Sequence, residues 1–384
     1  MLSQFVGYCL TGAAGAQEAP CERRSIPVAL RDNQNLPFQD ISVAELEAKV
    51  RGKPVKILSF APDPPPHRLV LLLDTSGSMG STAGESPLFA LGLALARHFF
   101  EVHQQWSHIA LLTFNKNVTE AFDFTKGNSA VGEKLQEIAS DRNYVKANVK
   151  GTTALRDTIL EGLQLLDHPS SADALYLLTD GGDNASKHSV ADVTHRLALT
   201  SARLFVVLLR QETGYRNRTP EELSGPDELS EIARKSGGEI LTAAVWHGDQ
   251  VALSADSEAK LKSQETLARL YQTILHDNLL EIELPVLLAK NERWELRLSD
   301  AAHRQRKGAQ ITYPTILISC NSEGGLRSRP PLRLSAARAA LPCVPVTKQF
   351  ELLVEAGFFD ENIEFGARKA LTERFGAVGD SPGR

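Results

Sequence analysis

The sequence predicts an α/β chain: a doubly wound, mostly parallel sheet with one antiparallel edge strand, flanked by a small β unit drawn from two separated segments. Three observations predict it. Uninterrupted apolar runs such as Arg68-Leu69-Val70-Leu71-Leu72-Leu73 and Ala174-Leu175-Tyr176-Leu177-Leu178-Thr179 have the character of strands covered on both faces. Helical patterns alternate with them, as a layered α/β architecture requires. Before residue 62 and after residue 278 the apolar period falls to two, the signature of half-exposed strands.

In chain order, Phe5 to Ala16 is a short apolar run ending in Ala14-Gly15-Ala16, a small-x-small pattern suited to signal-peptidase cleavage before Gln17. No Lys or Arg precedes Arg23, so the positive region expected of such a leader is absent and the expectation is a start inside a longer leader. Residues 1–16 are thus expected to be a signal peptide. Residues 25–61 follow as an N-terminal β segment, with Ser25 to Arg31 and Pro54 to Phe60 as strands and Val50 to Pro54 as the intervening turn. Residues 62–66, Pro-Asp-Pro-Pro-Pro, form an extended linker that cannot enter a sheet interior.

Residues 67–277 carry the α/β pattern. A buried helix is expected over Leu88 to Phe100 and a strand over His108 to Phe114. Val118 to Phe124 comes too soon afterwards for a parallel crossover and so reads as an antiparallel hairpin edge. Helices are expected at 154–167, 188–200, 226–236 and 256–277, with strands at Ala202 to Leu209 and Glu239 to Ala243. Residues 211–225 form a polar loop. Residues 278–320 return to period two, over Leu279 to Leu284, Arg293 to Leu298 and Ala309 to Tyr313. Each β segment is small for independent stability, so the two are expected to pair as one discontinuous β-sandwich. Residues 321–384 read as a linker and tail.

Composition bounds the function. The chain has 384 residues, 42% apolar and 23% charged, with 42 basic against 47 acidic side chains, as in an ordinary globular protein. Nothing favours nucleic acid, whose binders carry basic stripes, and no 18-residue apolar run suggests a membrane span. Of four cysteines, Cys9 leaves with the leader; spacing allows a Cys320–Cys343 disulfide in an oxidising compartment, leaving Cys21.

Chemistry concentrates at strand ends. Asp74-Thr75-Ser76-Gly77-Ser78 follows the first buried strand and brings one carboxylate and two hydroxyls together on a short turn. Gly151-Thr152-Thr153 opens a helical pattern, and Asp180 stands after the 174–179 strand as Asp74 stands after its own. Hard divalent cations take oxygen donors of this kind and keep open positions, and the C-terminal ends of α/β strands are where such sheets bind ligands. An N-cap cluster is the structural alternative for Asp-x-Ser-x-Ser taken alone.

These three elements resemble the metal-ion-dependent adhesion site of von Willebrand factor type A (VWA) domains, whose fold is a Rossmann-like α/β sheet. The resemblance implies Asp74, Ser76, Ser78, Thr153 and Asp180 as ligands of Mg²⁺, or of Mn²⁺ or Ca²⁺. Thr153 rather than Thr152 takes the role because it directly precedes the Ala-Leu helix start. Gly52-Lys53-Pro54-Val55-Lys56-Ile57, the Pro-rich joint and Leu71 to Met79 also resemble a bacterial branch, the VWFA-related family described from acidobacteria. It implies a secreted or periplasmic protein without a membrane-spanning helix in the mature chain, binding a protein partner that presents an Asp or Glu carboxylate.

Other candidates are weaker. Asp183, Asn184 and Ser186 are expected to orient Asp180 or cap its loop, and Asp157 to face the start of its own helix. His98 and His103, five apart, do not align as ligands on a helix. A phosphohydrolase would need a second Asp where Ser76 stands. No nucleophile elbow marks a catalytic triad, and Gly52-Lys53 lacks the remainder of a phosphate loop. The expectation is a non-enzymatic interaction module. The alternatives are an intracellular assembly factor beside an ATPase and a metal-dependent hydrolase.

Overall fold

A computed structural model describes residues 22–32, 37–38, 40–62, 67–80, 86–105, 107–166, 173–211, 220–245, 267–274 and 278–319. The expected leader, all four cysteines, residues 63–66 of the linker, most of the 211–225 segment and residues 321–384 lie outside them.

The apolar run of β4 (His67–Asp74) sits in the middle of a six-stranded sheet. Its neighbours are β5 (Ser107–Phe114), β6 (Val118–Phe122), β7 (Ala174–Thr179), β8 (Arg203–Gln211) and β9 (Ile240–Val245), in the order β6-β5-β4-β7-β8-β9. All pairings are parallel except β5 with β6. That exception follows from the short Asn115-Lys116-Asn117 turn, which allows only a hairpin.

Side-chain alternation along β4 divides the packing between two faces. Leu69, Leu71 and Leu73 join a core with α1 (Pro87–His103), α2 (Gly127–Ser140), the short α3 (Tyr144–Asn148) and a helix over residues 267–274, α7. Val70 and Leu72 join a second core with α4 (Leu155–Leu165), α5 (Val190–Thr200) and α6 (Pro220–Ser236). Complete burial of a Leu or Val contributes roughly 1.5–3 kcal/mol relative to exposure, so β4 is anchored from both sides. α1 starts at Pro87, whose fixed φ suits a first helical position, and buries Leu88, Leu91, Leu95 and Phe99 at helical spacing. His98 and His103 on the same helix are core residues: His103 Nδ1 lies 2.8 Å from the Phe99 carbonyl oxygen. Burial depresses their imidazoles to about 4 and about 3.

The β unit departs from expectation. A sandwich of two sheets was expected; the strands instead form one seven-stranded, continuously paired antiparallel sheet. Its strands are β1 (Arg23–Arg31), β2 (Leu46–Val50), β3 (Lys53–Pro62), β10 (Asn278–Glu283), β11 (Glu292–Leu298), β12 (Gln310–Thr312) and β13 (Ile316–Leu317), in the order β12-β1-β10-β3-β2-β11-β13. The reason lies in β3. Lys53 to Val55 pair with β2, whereas Lys56 to Pro62 pair with β10, so one long strand belongs to both halves. A register shift at Glu281/Ile282 supplies the extra residue that lets β3 bend, as bulges do at sheet corners. Ile26, Val28, Leu280 and Ile282 from one half and Ala48, Trp294 and Leu296 from the other share a single core.

The two units meet at the N-terminal ends of the six-stranded sheet. Buried Arg31 pairs with Glu239 just before β9, and Thr315 N–H donates to the Lys235 carbonyl at 3.1 Å. Gly237, at φ +80°, lies where a Cβ would come within 2.6 Å of Pro314 N and the Tyr313 carbonyl carbon.

Candidate metal centre

The parallel register sets Leu73 of β4 beside Leu178 of β7, which brings the two strand-end aspartates to adjoining positions. Asp74 is wholly buried. Its Oδ1 accepts Ser76 N–H at 2.8 Å and its Oδ2 accepts the Thr179 hydroxyl at 2.6 Å. Ser76 Oγ lies 3.1 Å from Ser78 Oγ, so the two hydroxyls of the first loop converge. Asp180 is also buried and accepts Gly182 N–H at 3.5 Å.

Two carboxylates enclosed together create an electrostatic problem. Burial first, and then the negative charge of Asp180, push the Asp74 carboxyl up to about 7, against the stabilising hydrogen bonds from Thr179 and Ser76. A cation held by these carboxylates would offset that repulsion.

Backbone bonds tie the three loops together. Thr75 N–H and its hydroxyl both donate to the Phe114 carbonyl, at 2.6 and 2.8 Å. Gly77 N–H donates to the Gly151 carbonyl at 2.9 Å, and Lys150 N–H to the Thr75 carbonyl at 3.0 Å. Buried Thr153 enters the same assembly through its backbone. Its N–H donates to Asn184 Oδ1 at 2.9 Å, and its carbonyl accepts the N–H groups of Asn184 and Ala185 at 3.1 and 3.0 Å.

Asp183 caps its own loop as expected, its Oδ1 accepting Ser186 N–H at 3.1 Å, and the group also grips the start of α4: Asp183 Oδ2 accepts Arg156 N–H at 3.0 Å, and Ser186 Oγ accepts Asp157 N–H at 3.1 Å. Asp157 faces outward to the next loop, accepting Lys187 and His188 N–H groups and lying 2.8 Å from His188 Nδ1. Sequence reading also assigned no role to Thr179. A hydroxyl one residue before a strand-end Asp is the signal, but its target, 105 residues away, depends on sheet order.

Asp74, Asp180 and the converging Ser76 and Ser78 hydroxyls are oxygen donors of the kind a hard cation takes, while Thr153 is fixed beside them by its backbone bonds. Among the described residues no three His, Cys, Asp or Glu side chains group together as a metal site.

An α/β domain with a hydroxyl-rich acidic centre at its strand ends is the class this geometry defines. Residues 69–182 match the von Willebrand factor type A domain family, so this segment of the chain carries a VWA domain. Solved structures similar to it include the PilB minor pilin from Streptococcus sanguinis, at 14% identity and a TM-score of 0.36 over 54% of this chain and 62% of the pilin. A von Willebrand factor type A protein from Catenulispora acidiphila is 12% identical, with a TM-score of 0.35 over 78% of this chain and 75% of its own. The chain thus spans less than two thirds of the pilin. No curated protein matches it at a significant level.

Proposed function

We propose that this protein is a divalent-cation-dependent protein-binding module that acts outside the cytoplasm, in the secreted or periplasmic space. Asp74, Ser76, Ser78, Thr153 and Asp180 would hold Mg²⁺, or Mn²⁺ or Ca²⁺, and the bound ion would supply a Lewis-acidic position for a carboxylate from an Asp or Glu of a partner. The observation that carries this reading is the pairing of wholly buried Asp74 with buried Asp180: burial first, and then the Asp180 charge, raise the Asp74 carboxyl, a cost that a bound cation would offset.

The chain's own residues do the remaining work. Thr179 and the Ser76 amide hold the Asp74 carboxylate in one orientation. The uncharged Ser76, Ser78 and Thr153 hydroxyls leave the centre short of negative charge, which favours an outside anion. The module is read as a binder because its strand-end residues follow the pattern of an adhesion site and residues 69–182 match a VWA domain.

The test is capture of envelope proteins on the immobilised chain, with Mg²⁺ and with a chelator, compared with Asp74→Ala and Ser76→Ala. Chelator and both substitutions are expected to release the same partner while the fold persists. Retention of that partner in the chelator and on both variants would overturn the metal-bridged reading.

A further inference from the structure

Val286 and Leu287 are the exposed large hydrophobic residues among the described residues, at 62% and 56% exposure, and they are adjacent on the loop between β10 and β11. Pro285 before them is exposed, and Leu288 behind them is buried, so the loop is pinned while its apolar tip faces water. We propose that this tip and the cations at its base dock on an anionic phospholipid surface.

Three observations carry the proposal. The first is charge. Strand register sets Arg23 and Lys56 opposite Glu283, two residues before Pro285, and Lys290 follows the tip. Glu283 is engaged by Arg23 and Lys56, and Glu292 by Arg51. Lys53, Lys290 and Arg293, all exposed, add to the positive side, with Glu22 and, facing Arg293 from α6, Glu231 as the opposing acids. This local excess runs against the net charge of −5 of the whole chain, and juxtaposed cations and apolar wedges are what headgroup-level binding requires.

The second is size. Two side chains cannot supply the roughly 800 Å² per partner of a stable protein interface, but they suffice to enter between lipid headgroups when cations assist. The third is connectivity. Leu284 N–H donates to the Glu22 carbonyl at 2.7 Å, which ties the base of the tip to the residue before β1. The metal centre lies at the opposite end of β4 from the linker side, about 26 Å away for eight residues of strand. A lipid-facing tip on the β unit therefore leaves that centre free for a partner.

The test is co-sedimentation of the full chain with phosphatidylcholine vesicles, with and without phosphatidylglycerol. The chains compared are wild type, Val286→Ser/Leu287→Ser and Lys53→Glu/Lys290→Glu. All three keep residues 1–21, so retention due to that stretch is common to them. The phosphatidylglycerol-dependent retention is expected to fall about tenfold or more in each variant, and raised salt to weaken the wild type similarly, with unchanged melting curves because the substituted side chains are exposed. Equal retention on both vesicle types, or variants bound as tightly as wild type, would overturn the proposal. So would a concentration-dependent dimer that the apolar variant abolishes while vesicle retention stays the same, which would assign the tip to a second copy of the chain.

Discussion

Asp74 accepts two hydrogen bonds and is still pushed up to about 7, chiefly by burial and then by Asp180. A carboxyl whose pKa is raised on folding contributes stability that is present below the ordinary carboxylate range and lost as pH rises through about 7. In metal-free protein, Asp74→Asn should remove that loss. Melts of both chains in a chelator, from about pH 5 to pH 8, are expected to show the wild type falling behind by up to about 1.4 kcal/mol per pH unit below 7. His98 and His103, held neutral by burial, give a slope of opposite sign below about pH 6.5, but equally in both chains, so the difference isolates Asp74. Added Mg²⁺ should raise the wild-type midpoint by ligand linkage and leave the variant unmoved. A difference between the chains that does not change with pH would show that folding does not raise the Asp74 carboxyl.

At the scale of elements, the loops are registered by one another. Asn184 links the loop after β7 to the loop before α4 at both the amide and the carbonyl of Thr153. Residues of this kind, which orient a ligand without touching the ion, typically change metal affinity 10–100-fold. Asn184→Ala should therefore weaken Mg²⁺ or Mn²⁺ binding by about that factor in calorimetry, with metal-free stability reduced by only about 1 kcal/mol. Asn184→Asp, which keeps an acceptor for Thr153 N–H, should recover part of the affinity; equal affinity in all three chains would remove Asn184 from the site. The same elements show what was legible in sequence. β4, β7 and β8 could be read because sheets covered on both faces select long apolar runs. Asp74, Ser76 and Asp180 followed because they stand at the ends of those runs. The partners of Asn184 and Thr179 are set by which strands lie side by side, and no local pattern records that. α2 escaped reading because Gly127, Gly132 and its polar majority leave only Val131, Leu135 and Ile138 buried. β2 escaped because Leu46-Glu47-Ala48-Lys49-Val50 shows its alternation over five residues only. α6 begins at Pro220 and runs through Pro226, earlier than the expected 226, and Gly225 lies so close to the Gly181 carbonyl that any Cβ would collide with it. Helix α6 is thereby pressed against the loop that carries Asp180.

The molecule as a whole depends on a junction that neither unit makes alone. Residues 313–315 lie between the β unit and the end of α6. Trp294 Nε1–H donates to the Pro314 carbonyl at 2.6 Å on one side, and Thr315 N–H donates to Lys235 on the other. Gly237 allows this approach in two ways, through its left-handed backbone at φ +80° and through the missing Cβ that would meet backbone at 2.6 Å. Gly237→Ala therefore costs about 1 kcal/mol or more for the backbone conformation and also pushes residues 313–314 away. That displacement would strain the Thr315 bond and the pairing of buried Arg31 with Glu239. The expected outcome in scanning calorimetry is a lower first midpoint and a broadening or splitting of one transition into two, the β unit melting ahead of the α/β domain. Both β segments lie on either side of the α/β domain in sequence yet pair strand to strand, β1 and β3 with β10 and β2 with β11. The inserted domain is thus closed at its base by this sheet, and loosening the junction should leave the metal affinity of the distant strand ends unchanged. If Gly237→Ala melts in a single transition at the wild-type midpoint, the junction does not couple the two units.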